Sequence, residues 1–105
     1  MARFDVYANP SKHAGSTPYL LDVQCDLLSD LDSRMVIPLR KLAHFPKVNL
    51  PTRLTPIITI LGEAYLLETP KMAAVPQRIL KAPIASIADS ADQVTGALDF
   101  LFQGY

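Results

Sequence analysis

The residues of this chain that could carry chemistry are two histidines, one cysteine and a short acidic segment. His13 lies among Gly, Ser and Pro residues and His44 in a Pro-rich segment, and neither has a partner at metal-ligand spacing. This predicts loop or surface roles for both. Cys25 has no second cysteine with which to form a CxxC motif. The alternation of its predicted strand places Cys25 on the apolar face, which predicts a buried structural thiol.

Three aspartates, Asp26, Asp30 and Asp32, raise the question of calcium binding. The segment lacks the glycine and the terminal glutamate of an EF-hand loop, so we interpret it as a solvated turn. With four glycines in the chain, there is also little material for a phosphate-binding loop. The sequence therefore predicts no catalytic residue, no metal site and no cofactor.

The composition limits the classes of partner. Ten Lys and Arg residues balance ten Asp and Glu residues, which argues against direct binding of nucleic acid and against an electrostatic membrane anchor. A length of 105 residues with 50% hydrophobic residues predicts one compact domain, 1–105. The N-terminus does not resemble a signal peptide and no apolar run approaches ~20 residues. We expect a cytoplasmic protein that forms a homodimer, because a near-neutral surface favours self-association.

The positions of the prolines argue against a helical bundle in the first eighty residues. Nine prolines are spread from Pro10 to Pro83, and proline interrupts helices and central strands alike. Alternating apolar residues between them predict strands over about 3–80. These strands are "RFDVYA", "YLLDVQCDLL", "RMVIPL" closed by Pro38, and "KMAAVPQRILKAP" with a bulge or an edge at Pro76.

The stretch "IITILGEAYLLET" predicts a hairpin. Its β-branched residues lead into Gly62-Glu63, where the chain is expected to turn, and an apolar strand returns. The segments 8–18 and 41–56 show turn residues and little periodicity, and they are predicted to be loops.

The spacing of the apolar residues changes near Ser90 from that of strands to that of a helix. A helix is therefore predicted over about 89–101. Ser90 with Gln93 resembles a capping box, and Asp89 is the alternative cap. Apolar residues recur at spacings of three and four and so form one stripe along the predicted helix: Ile87, Ala91, Val94, Leu98 and Leu101.

The end of the chain, "FLFQGY", carries more apolar surface than this stripe needs. At 100° per residue, Phe100, Phe102 and Tyr105 cannot all share the face of Val94. An apolar surplus on a second face predicts either a partner or a homodimer contact. Gly104 is placed to end the helix and to turn the exposed tail, 102–105, away from it.

The ordered segments "YLLDVQCDLL", "RMVIPL", "MAAVP" and "FLFQGY" resemble the CcdB family over essentially the whole chain. The family consists of toxins of type II toxin–antitoxin systems that poison DNA gyrase. The resemblance implies a mostly β fold with a C-terminal α-helix: a twisted five-stranded antiparallel sheet, a small three-stranded sheet and a symmetric homodimer. It also implies a toxin that acts by binding rather than by catalysis. The implied partners are the gyrase A subunit and a cognate CcdA-like antitoxin.

The same resemblance implies which residues face gyrase. They are the last helical turn with the tail and an apolar pair after the second strand: Asp99, Phe102, Gln103, Gly104, Tyr105, Leu27 and Leu28. One position departs from the family pattern, because Gln103 stands where well-known members have tryptophan. The final residue, Tyr105, stands where those members have isoleucine.

The departure at Gln103 leaves a second hypothesis open. The chain could be a CcdB-fold dimer that has lost gyrase poisoning and acts through antitoxin binding, transcription regulation or another target. A third hypothesis, an endoribonuclease, follows from related toxins of the same fold that cut RNA. It is the least favoured, because the net charge is zero and the arginines are scattered.

Overall fold

The computed structural model describes residues 2–28, 30–44 and 51–104. In this part of the chain a series of strands precedes a single helix, which confirms the predicted fold class. Short 3₁₀ turns connect several of the strands, and the one at Asp26–Leu28 is called the 26–28 turn below. The strands and the helix are β1 (Asp5–Ala8), β2 (Tyr19–Asp22), β3 (Ser33–Lys41), β4 (Ile57–Ile60), β5 (Glu63–Leu67), β6 (Ala73–Pro76), β7 (Ala85–Ser86) and α1 (Ala91–Gln103).

The strands pair in an antiparallel manner around β3, which belongs to two groups of strands. One edge of β3 pairs with β2, while its other edge pairs first with β6 and then with β5. The order β7-β1-β2-β3-β6 makes a five-stranded group, and β3-β5-β4 makes a three-stranded one. The seven strands of the described residues belong to one sheet, in which the five-stranded and three-stranded groups implied by the family resemblance share β3.

Pro38 lies inside β3 rather than at its end, so the predicted strand end was wrong. Its carbonyl accepts a hydrogen bond from the Glu68 N–H at 3.0 Å, so the side that lacks an N–H faces the β5 and β6 edge. There the pairing with β6 stops at Val36 and the pairing with β5 begins at Leu39. Proline is tolerated because it falls between two partner strands, where no strand hydrogen bond is lost.

The predicted hairpin is confirmed, but its turn is Leu61-Gly62 rather than Gly62-Glu63. Both turn residues have positive φ, 52° for Leu61 and 83° for Gly62, as in a type I′ turn. The predicted loop 8–18 connects β1 to β2. Part of the predicted loop 41–56, residues 45–50, lies outside the described residues.

Two apolar clusters lie on opposite faces of the strands, because neighbouring residues of a strand point in opposite directions. The larger includes Val6, Leu21 and Ile37, and α1 covers it with Val94. The smaller contains Tyr7 and Leu20 among its buried members, on the opposite face.

The helix is displaced by two residues from its predicted span, because a 3₁₀ turn occupies Ala88–Ser90. The Ser90 side chain makes no capping hydrogen bond, so that part of the prediction was wrong. Gly104 ends the helix as predicted, with φ 81° and with its N–H donating to the Phe100 carbonyl at 2.9 Å. Among the described residues, no helix is both long and apolar enough to cross a membrane.

Candidate target-binding surface

The last helical turn of α1 brings four of the predicted site residues together. Asp99, Phe102 and Gln103 are spaced as i, i+3 and i+4, so they lie on one side of the helix, and all three are exposed. Gly104 follows them and is exposed as well. The Phe102 side chain is 69% exposed, a large fraction for a phenylalanine. The helix end therefore presents an aromatic ring beside a carboxylate and an amide. Tyr105, the remaining residue predicted here, lies outside the described residues.

The neighbouring apolar residues of "FLFQGY" are partly covered by the rest of the protein. Phe100 and Leu101 are half-buried, and the Arg53 guanidinium lies over the Phe100 ring, 5.2 Å from its centroid. Leu98 packs against the large apolar cluster. The apolar surplus at the end of the chain is therefore carried, among the described residues, by Phe102.

The other two predicted site residues lie on the 26–28 turn. Leu27 is 91% exposed and Leu28 is 49% exposed, and nothing in this turn is buried. Leu31, which the sequence reasoning placed in a polar turn, is also 49% exposed. The sequence feature that could have indicated this exposed leucine is its isolated position between two aspartates in "SDLDS". Within one chain, no hydrogen bond or ion pair of the described residues joins this turn to the end of α1.

The chain folds back at the 26–28 turn because β2 ends at Asp22, much earlier than predicted. As a result Cys25 is exposed, and the prediction of a buried structural thiol was wrong. The alternation that placed Cys25 on the apolar face does not extend beyond Val23. Asp26 accepts a hydrogen bond from the Arg3 N–H at 2.8 Å, so this carboxylate joins two segments of the chain rather than facing only solvent.

A buried ion pair, which sequence reasoning missed, lies beside this turn. The Asp22 carboxylate and the Arg34 guanidinium are both fully buried, with Oδ2 2.8 Å from Nε and 2.7 Å from Nη2. Burial raises the pKa of Asp22, and the hydrogen bonds from Arg34 and from the Gln24 N–H act in the opposite direction. The available signal was that these two charges share strand faces with Leu20 and Val36, which are apolar.

The remaining candidates are the two histidines and a possible metal site. His13 is exposed in the loop between β1 and β2, as predicted, whereas the side chain of His44 lies outside the described residues. No group of three His, Cys, Asp or Glu residues that could hold a metal ion occurs in the part of the chain that the structure describes. The features of this surface are exposed apolar side chains and one helix end.

One comparison with known proteins identifies a relationship. The family model described as "CcdB protein" matches residues 3–104, which is nearly the whole chain. The match spans every strand, the 26–28 turn and the complete helix.

Proposed function

The chain belongs to the CcdB family, and on that premise we propose that it is the toxin of a type II toxin–antitoxin system that poisons DNA gyrase. It binds the gyrase A subunit and holds the gyrase–DNA complex in its cleaved state, without chemistry of its own. A CcdA-like antitoxin neutralises it. The target and the antitoxin place its action in the cytoplasm.

The observation that carries this proposal is the exposed end of α1. Phe102, 69% exposed, stands with Asp99 and Gln103 at the positions through which the family resemblance implies gyrase contact. Burying an exposed aromatic ring against a partner contributes about 1.5–3 kcal/mol. Aromatic side chains are also enriched among the residues that dominate binding energy. A polar rim around one apolar anchor is the usual arrangement of such contacts.

The proposed assembly is a homodimer, which supplies two copies of this surface. A two-fold axis presents both helix ends and both 26–28 turns to the target. A gyrase A dimer, itself two-fold symmetric, can then engage both copies at once. Two linked contacts raise the overall affinity far above that of one contact.

The test measures binding, DNA cleavage and growth with one variant and one control. We expect the purified protein to bind the gyrase A dimerisation domain, to raise DNA cleavage by gyrase and to stop growth when expressed. Phe102→Ala should weaken binding about 30-fold or more, as for loss of an aromatic anchor worth at least ~2 kcal/mol. Leu61→Ala, which removes another exposed apolar side chain at 75% exposure, should leave binding unchanged. Absence of binding, cleavage and toxicity in the unmodified protein overturns the proposal.

Gln103 favours a second candidate function, a CcdB-family dimer that no longer poisons gyrase and acts by binding its antitoxin. An exposed glutamine offers hydrogen bonds but far less apolar area than the tryptophan of well-known members. Gln103→Trp separates the two. A gain of toxicity by an otherwise inert protein supports the second function, whereas toxicity in the unmodified protein excludes it.

A further inference from the structure

We propose that Gln24 is a positioning residue, whose side chain holds the 26–28 turn in one conformation so that Leu27 and Leu28 are presented ready for the target. The benefit to target binding rests on the proposed function above. The fixed conformation of the turn is a property of the chain itself and is tested separately.

The Gln24 side chain connects the turn to β3 with two hydrogen bonds. Its Nε2 donates to the Leu28 carbonyl at 3.0 Å, and its Oε1 accepts from the Met35 N–H at 3.1 Å. One amide therefore links the last residue of the turn to a central strand. The turn closes on itself through the Leu28 N–H, which donates to the Cys25 carbonyl at 3.0 Å.

Gln24 is itself held by the buried ion pair. Its backbone N–H donates to Asp22 Oδ1 at 3.0 Å, and its carbonyl lies 3.5 Å from Arg34 Nη2. Asp22 and Arg34 are fully buried and bonded to each other. The amide that reaches the turn is therefore anchored at its backbone by groups that do not move freely.

The N-terminal segment holds the turn from the other side. The Arg3 N–H donates to Asp26 Oδ1 at 2.8 Å, and Arg3 Nε donates to the Val23 carbonyl at 3.0 Å. Phe4, next to Arg3, has φ 73°, a left-handed conformation that is strained for an aromatic residue. Its N–H donates to the Asp22 carbonyl at 2.7 Å, which fixes the segment against the end of β2.

This turn depends on hydrogen bonds because packing cannot hold it. None of its residues is buried, and Leu27 is 91% exposed. A solvent-exposed turn without such bonds samples many conformations, and a partner has to select one of them. Each 1.4 kcal/mol of ordering free energy lowers the affinity about tenfold, so a turn that is already ordered binds more tightly.

The test replaces the amide nitrogen of the Gln24 side chain with oxygen. The same replacement at a second side-chain amide serves as the control. Gln24→Glu keeps the oxygen that accepts from Met35 and removes the Nε2 donor to Leu28. Asn9→Asp is the matched control, since Asn9 also uses its amide to bridge a turn, with Nδ2 donating to the Thr17 carbonyl at 2.8 Å and Oδ1 accepting from the Ser11 N–H at 3.0 Å. Both variants change the net charge equally, and Asn9 has no hydrogen bond to the 26–28 turn.

Two readouts separate the proposals. Amide hydrogen exchange at Leu28 and Leu31 reports the order of the turn, because their N–H groups bond to Cys25 and Leu28 carbonyls. We expect Gln24→Glu to speed exchange at both amides and to weaken binding to the gyrase A domain about tenfold. Asn9→Asp should change neither. If Gln24→Glu fails to fold, Gln24→Ala, which removes both side-chain hydrogen bonds and adds no charge, takes its place with the same expectation.

Different outcomes would contradict the role of Gln24 in positioning the turn and the proposed function. Unchanged exchange at Leu28 and Leu31 overturns the positioning role, and so does faster exchange with unchanged gyrase affinity. If the unmodified protein does not bind gyrase A, the proposed function fails instead, and the exchange measurement still decides whether Gln24 orders the turn.

Discussion

The buried pair of Asp22 and Arg34 yields the sharpest prediction about stability. Asp22→Asn and Arg34→Met each remove one charge while keeping much of the side-chain shape. Because both partners are fully buried, with contacts of 2.7 and 2.8 Å, each single variant should lower the free energy of unfolding by about 3–5 kcal/mol. The double variant should lose less than the sum of the two, because it leaves no buried charge at this place.

The two single variants should differ in their response to pH. In Asp22→Asn the Arg34 guanidinium remains charged at every pH used, so this pair should give the variant no pH dependence of its own. In Arg34→Met the interactions that lower the pKa of Asp22 are gone, and burial raises that pKa further. A folded-state pKa above the unfolded value means full stability below about pH 4, lost as the pH rises through the folded-state pKa. The slope reaches at most about 1.4 kcal/mol per pH unit.

Denaturant unfolding of the four proteins between about pH 5 and pH 8 measures these quantities. We expect Arg34→Met to approach the unmodified protein in stability at the acidic end and to lose stability more steeply as the pH rises, whereas Asp22→Asn should show no pH dependence from this pair. Additive losses in the double variant would refute the coupling of the pair. A loss in Arg34→Met that does not depend on pH would refute the assignment of a buried carboxyl group that protonates.

Two further predictions concern the hairpin and the tyrosines. Leu61→Asn should raise the free energy of unfolding by about 1 kcal/mol, because Leu61 has φ 52° in a type I′ turn that favours Asn; a lower thermal midpoint than that of the unmodified protein would contradict this. Burial raises the pKa of both Tyr7 and Tyr65, so stability should be complete below about pH 10 and lost as the pH rises above it. In a titration followed by tyrosinate absorbance, these two rings should ionise only as the protein unfolds; their ionisation in the folded state would contradict the prediction.

The parts of the fold that depend on local sequence were predictable. The helix follows from the stripe that includes Val94, and its end follows from Gly104. The position of Pro38 inside β3 was not predictable, because it depends on the place where β6 gives way to β5. The change of partner strand depends on how distant segments pair with β3, and no pattern within "RMVIPL" indicates it.

The exposure of the predicted site residues agrees with the prediction, but the contacts that support them could not be predicted. The resemblance to the family supplied Phe102, Leu27 and Leu28, and the structure leaves all three exposed. Cys25 was assigned to the wrong environment because the alternation of apolar residues was extended past the true end of β2. Asp22 and Arg34 share strand faces with apolar residues, but nothing in the pattern shows that two charges twelve residues apart meet inside the protein.

On the proposed function, the glutamine at position 103 makes the order of the 26–28 turn more important for target binding. Without a tryptophan at the helix end, the apolar area that the proposed surface offers includes Phe102, Leu27, Leu28 and the nearby Leu31. Burial of these leucines adds more to the binding affinity when their backbone is already fixed, because the cost of ordering a mobile turn offsets part of the gain. On the proposed function, a network that fixes this turn through Gln24 is therefore what we expect of a target contact that is divided between the end of α1 and the 26–28 turn instead of relying on one large aromatic side chain.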